Sequence, residues 1–169
     1  FDRVLGGGLV PGSAVLIGGH PGAGKSTLLL QLACKLAQTK KVLYVTGEES
    51  LQQIALRAQR LGQPTQGVRM LAETSVETLI ATAELEQPDL LIVDSIQTMH
   101  LSDLASAPGG VAQVRESAAY LTRFAKQTNT VLFLVGHVTK DGSLAGPKVL
   151  EHMIDASFLL EGESDSRFR

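Results

Sequence analysis

A chain of 169 residues suffices for one domain with a proper core, and 44% hydrophobic against 19% charged residues excludes a disordered composition. No apolar run approaches the ~20 residues of a membrane-spanning helix, no signal peptide is recognised, and a net charge of −2 leaves no global basic field, so a polyanion would have to be met by local loops. The single cysteine, Cys34, has no partner for a disulfide and, with four scattered histidines, builds no zinc cluster, which suits a reducing cytoplasm.

Taken in order, the chain first shows Leu5-Gly6-Gly7-Gly8 and Pro11-Gly12, a turn signature with proline at the second turn position and glycine at the third. Residues 15–17 read as a strand buried on both faces, as parallel strands are. A helix is predicted over 25–38, where Leu28, Leu29, Leu32, Ala33 and Leu36 form one apolar stripe. Between them lies Gly19-His20-Pro21-Gly22-Ala23-Gly24-Lys25-Ser26, which fits the phosphate-loop pattern G-x-x-x-x-G-K-[ST] at every position and runs on into Thr27. Glycines let successive backbone N–H groups curl around an anion without Cβ clashes, and the helix that follows points its positive end at the same place. Lys25 is then expected to reach the β- and γ-phosphates of a nucleoside triphosphate, and the Ser26 hydroxyl to ligate Mg²⁺. ATP with Mg²⁺ is the expected ligand, held by Gly19 to Thr27.

Further along, residues 41–46 read as a strand, 51–61 as a helix with Gly62 as its C-cap, 68–71 as a short strand and 74–86 as a helix. Leu90-Leu91-Ile92-Val93-Asp94 is a continuous apolar strand ending in a carboxylate. Residues 102–110, rich in Ser, Ala, Pro and Gly, carry the signature of a mobile loop. A helix over 114–126 follows, then a buried strand over 130–135, a loop from Gly136, a short helix over 147–152 and an edge strand over 154–161. Strands alternate with helices and no internal repeat is seen, so the expected fold is α/β: a twisted, largely parallel sheet with helices on both faces.

A phosphate loop needs a carboxylate for the Mg²⁺ shell, a base for the attacking water and a γ-phosphate sensor. Asp94 ends a strand expected beside the first one, at the carboxyl edge where ligands of open α/β sheets collect, and is assigned to Mg²⁺, directly or through water. Glu48 and Glu49 follow the 41–46 strand at the same edge. One is expected to polarise water and the other to favour the dipole of the next helix; Glu48 is preferred as the base, with Glu49 as the alternative. His137, after the 130–135 strand, is assigned as γ-phosphate sensor.

These pieces resemble the RecA-type P-loop ATPase core, specifically the bacterial RadA (Sms) family of recombination and DNA-repair proteins. The match rests on residues 2–13, the phosphate loop, Tyr44-Val45-Thr46-Gly47-Glu48-Glu49-Ser50, Val93-Asp94-Ser95-Ile96-Gln97-Thr98 and Gly136-His137-Val138-Thr139-Lys140-Asp141-Gly142, with Ala145-Gly146-Pro147 and Leu150-Glu151-His152-Met153. The resemblance implies ATP-driven branch migration of recombination intermediates by a homo-hexameric ring around single-stranded or branched DNA, with room for a recombinase partner. It implies Glu48 as the water-activating residue and puts DNA-facing loops near 97–110 and 139–148, where Lys140 and Lys148 are the phosphate-contact candidates. The family's four-cysteine zinc finger, its Lys-Asn-Arg-Phe-Gly motif and its Lon-like domain are not in this sequence, so residues 1–169 are expected to be the ATPase core of a longer protein. The competing reading is a nucleotide-gated oligomerisation module, as in clock-type relatives, in which DNA plays no part.

Overall fold

The computed structural model describes residues 10–19, 25–62, 67–137 and 150–160. Strands β1 (Ala14–Gly19), β2 (Val42–Thr46), β3 (Val68–Ala72), β4 (Leu90–Asp94), β5 (Val131–His137) and β6 (Ala156–Leu160) form one sheet in the order β3-β2-β4-β5-β1-β6. Every pairing is parallel. Parallel neighbours require crossovers, and these are supplied by α1 (Lys25–Leu36), α2 (Leu51–Arg60), α3 (Val76–Glu86) and α4 (Val111–Thr128).

Alternation along the strands divides the core into two layers. Val15, Ile17, Val42, Tyr44, Leu90, Ile92, Phe133 and Val135 face α1 and α2, meeting Leu29, Leu30, Ala33 and Ile54. Leu16, Leu43, Val45, Leu91, Val93, Leu132 and Leu134 face α3 and α4, meeting Val76, Leu79, Val114, Ala118 and Leu121. Both sides of β1, β2, β4 and β5 are therefore covered, and this explains why those strands are apolar at nearly every position.

Two expectations change. β4 does not lie beside β1: β5 is inserted between them, pairing with both. Apolar strands buried on two faces carry no label for their neighbours, so their order is set by the crossovers. The 102–110 segment is also not a free loop at its base. The Gln113 side chain, 2% exposed on α4, accepts from Leu101 N–H at 2.9 Å and donates to the carbonyls of Leu101, Leu104 and Ser106. Gly62 follows α2 with φ +67°, the left-handed geometry expected just past a helix end. Half of the predicted helix over 147–152 lies outside the described residues, which resume at Leu150 in helical conformation and pass into a turn over 151–153.

Candidate functional site

The register of the parallel strands gathers the site. Gly19 at the end of β1 lies opposite His137 at the end of β5, Asp94 at the end of β4 lies opposite Val135, and Thr46 at the end of β2 lies opposite Asp94. Four carboxyl ends thus meet at one edge, facing the start of α1.

Ser26, in the first turn of α1, donates its hydroxyl to Asp94 Oδ2 at 2.8 Å, and the buried Tyr44 hydroxyl donates to the same oxygen at 3.1 Å. Asp94 is 1% exposed, and its Oδ1 is buried with no hydrogen-bond partner among the described residues. Burial pushes the Asp94 carboxyl above its usual range, and the nearby Glu48 carboxylate pushes the same way; the Ser26 and Tyr44 hydrogen bonds and His137 oppose them. Tyr44 is raised too, first by its burial and then by Asp94. A desolvated carboxylate with an unused oxygen, next to a hydroxyl that keeps lone pairs, is a hard oxygen donor set and fits Mg²⁺. Glu48, Asp94 and His137 each bring a ligand atom within 4.8 Å of the others.

Past Thr46 the chain turns sharply. Thr46 Oγ1 accepts from the backbone N–H of Glu48 and of Glu49, and Gly47 N–H donates to Asp94 O at 2.8 Å. This turn aims the two glutamates apart. Glu48 Oε2 accepts the Ser95 hydroxyl at 2.6 Å and is bonded to His137 Nε2. Glu49 is held instead by both guanidinium ends of Arg57, with Nη1–Oε1 at 2.9 Å. Glu49 was expected to serve the dipole of α2; in the structure Ser50 caps that helix through a reciprocal capping box with Gln53, and Glu49 is an ion-pair partner on its flank.

His137 is the last residue of β5 rather than part of the following loop. Of the expected phosphate-binding set, Gly19, Ser26 and Thr27 are described; His20, Pro21, Gly22, Ala23, Gly24 and the Lys25 side chain lie outside the described residues. So do Lys140 and Lys148, with all of 139–148. Three contributors escaped the sequence reading as site residues: Tyr44, Ser95 and Gln97. A tyrosine inside an apolar strand signals a hydroxyl in need of a partner. The two polar residues after β4 carry no such signal, because loop composition looks the same. A cleft of about 540 Å³ opens at the opposite, amino end of the sheet, between the ends of α3 and α4; its lining, which includes Glu84, Asp89 and Phe124, brings no catalytic set together.

Residues 2–143 match the family model described as AAA domain. Proteins named DNA repair protein RadA align over the full chain: that of Escherichia coli (strain K12) is 70% identical and that of Streptococcus pneumoniae (strain ATCC BAA-255 / R6) 55%. The chain spans 37% and 40% of those two relatives' length. Among solved structures, a DnaB-like replicative helicase superposes with TM-score 0.78 at 11% identity, over 93% of this chain and 49% of that one. A KaiC-like protein of Pyrococcus horikoshii OT3 superposes with TM-score 0.78 at 20% identity, over 95% of this chain and 76% of that one. At such identities these two establish the fold alone: a parallel six-stranded sheet with helices on both faces.

Proposed function

Because this chain belongs to the AAA domain family and is a P-loop ATPase domain, we propose that it hydrolyses ATP to drive a DNA-repair motor, the activity being branch migration of recombination intermediates. The carrying observation is the convergence of Ser26, Asp94, Glu48 and His137 at one sheet edge, directly beside the phosphate-loop sequence. High identity to relatives named for DNA repair supports the choice of process.

In this reading the phosphate loop from Gly19 to Thr27 wraps the triphosphate, and Lys25 meets charge developing on the γ-phosphate. Ser26 and Asp94 hold Mg²⁺, which when bound offsets phosphate charge. Glu48 takes a proton from the attacking water. Its carboxylate already faces the site, whereas Glu49 is committed to Arg57. His137, bonded to Glu48, senses the γ-phosphate and links its presence to the base. Residues 97–110 and 139–148, with Lys140 and Lys148, face single-stranded or branched DNA inside a homo-hexameric ring. The test is ATP turnover of a protein spanning the relatives' full length, with and without single-stranded DNA. The reading requires hydrolysis, its loss in Lys25→Ala, and stimulation by DNA. Hydrolysis indifferent to DNA would favour a nucleotide-gated oligomerisation module.

A further inference from the structure

We propose that Gln97 is a positioning residue of this hydrolytic site, holding the end of β5 so that the His137 ring meets Glu48; the inference rests on the ATPase reading above. β4 ends at Asp94, opposite Val135, so His137, two residues further along β5, has no β4 residue to pair with. The Gln97 carboxamide takes that place. It donates from Nε2 to the His137 carbonyl at 3.3 Å and accepts the His137 N–H at Oε1 at 3.2 Å, the same two bonds a neighbouring peptide group would make.

Gln97 belongs to a single 3₁₀ turn, Ile96–Thr98, whose flanks do related work. Ser95, just before it, donates to Glu48 Oε2. Thr98 is fixed by its hydroxyl bond to Ser95 O at 2.7 Å and packs so closely on Gly47 that a Cβ on Gly47 would come within 2.1 Å of Thr98 Oγ1. Buried Ile96 anchors the turn in the core. One short turn therefore grips both the glutamate-bearing turn after β2 and the histidine at the end of β5. Misplacing a reacting group by about 1 Å costs on the order of 10²-fold in rate. A side chain that fixes the histidine backbone is thus expected to act on turnover without touching nucleotide.

The test uses the full-length protein with Gln97→Ala and Gln97→Glu, the latter keeping length and acceptor but losing the donor. Both should lower kcat by roughly 10- to 100-fold with the KM for ATP within about twofold of the parent. Combined with His137→Ala, Gln97→Ala should cost nothing more, because its effect runs through that ring. A second readout needs no turnover: the imidazole NMR signal of His137, identified by its loss in His137→Ala, should move in both Gln97 variants of the nucleotide-free protein. A parent without ATPase activity would refute the function while leaving the NMR arm to judge the positioning. An unmoved imidazole signal, parent-like kcat in Gln97→Ala, or an equal loss in the His137→Ala background would overturn the inference.

Discussion

Glu48 and Glu49 differ by one position and by everything their side chains touch. Glu48 is shared between Ser95 and His137 at the sheet edge, whereas Glu49 closes a two-point contact with Arg57 on α2. Glu48→Gln is accordingly expected to bind ATP with near-parent affinity and to lose turnover by ~10²–10⁴-fold, the usual worth of a general base. Glu49→Gln should keep turnover and lose some stability through Arg57; rapid-quench hydrolysis paired with nucleotide-binding measurements checks both. Asp94 supplies the pH prediction. Its carboxyl is raised in the fold, chiefly by burial, so the folded state holds that proton more tightly than the unfolded chain does. The charged form therefore costs stability above the folded pKa, and the cost fades as pH falls toward the unfolded value. Asp94→Asn should raise the thermal midpoint of the nucleotide-free chain at neutral pH, with the gap to the parent closing on acidification. Each kcal/mol relieved corresponds to about 2–4 °C at this size. A gap that widens on acidification would contradict the assignment.

Among the elements, α4 has a task beyond covering the sheet. Its buried Gln113 accepts from one backbone N–H and shares its two amide hydrogens among three carbonyls of the segment that leaves the 3₁₀ turn, so residues 101–106 are tied to the helix rather than to solvent. Gln113→Ala would open a cavity and remove the side-chain bonds to Leu101 N–H and to the Leu104 and Ser106 carbonyls, while Leu101 O keeps its bond from Leu104 N–H. A loss of ~2–4 kcal/mol is expected, since a single buried polar group left unsatisfied costs ~1–3 kcal/mol. Denaturant unfolding measures that loss, and limited proteolysis should show new cleavage within 102–110. Cleavage unchanged at that segment would mean that buried Leu101 and the Ser102 bonds to Glu77 hold it without Gln113.

For the whole molecule, the governing fact is that the chain spans 37% to 40% of the relatives it matches. Phosphoryl transfer by phosphate-loop enzymes commonly uses a further cation at the γ-phosphate, in cis or from a neighbour, worth ~10³–10⁵ in rate. Among the described residues, Arg57 is engaged with Glu49 and Arg69 with Glu86, so neither is aimed at the site. Residues 1–169 alone are therefore expected to bind nucleotide and hydrolyse it poorly, while a protein of full relative length gains turnover per subunit as its concentration rises. A head-to-tail contact that completes each site from the next subunit has this signature. Rates equal in both proteins and independent of concentration would show the site to be complete within one chain.

Much of this was legible in the sequence for a definite reason. The phosphate-loop spelling is local, because a backbone nest followed by a helix needs glycines and a lysine at fixed spacing, and alternating apolar strands and amphipathic helices dictate an α/β sheet. Asp94, Glu48 and His137 were visible as polar residues ending apolar strands. What periodicity could not carry was strand order, since strands buried on both faces look alike; only packing inserted β5 between β4 and β1. Nor could it tell Glu48 from Glu49, because the turn at Gly47 and the reach of Arg57 decide which carboxylate faces Ser95 and His137. Tyr44 against Asp94, Gln113 beneath the 101–106 segment and Gln97 across the end of β5 are contacts between elements distant along the chain. Such contacts exist only once the sheet has closed, so only the tertiary structure decides them.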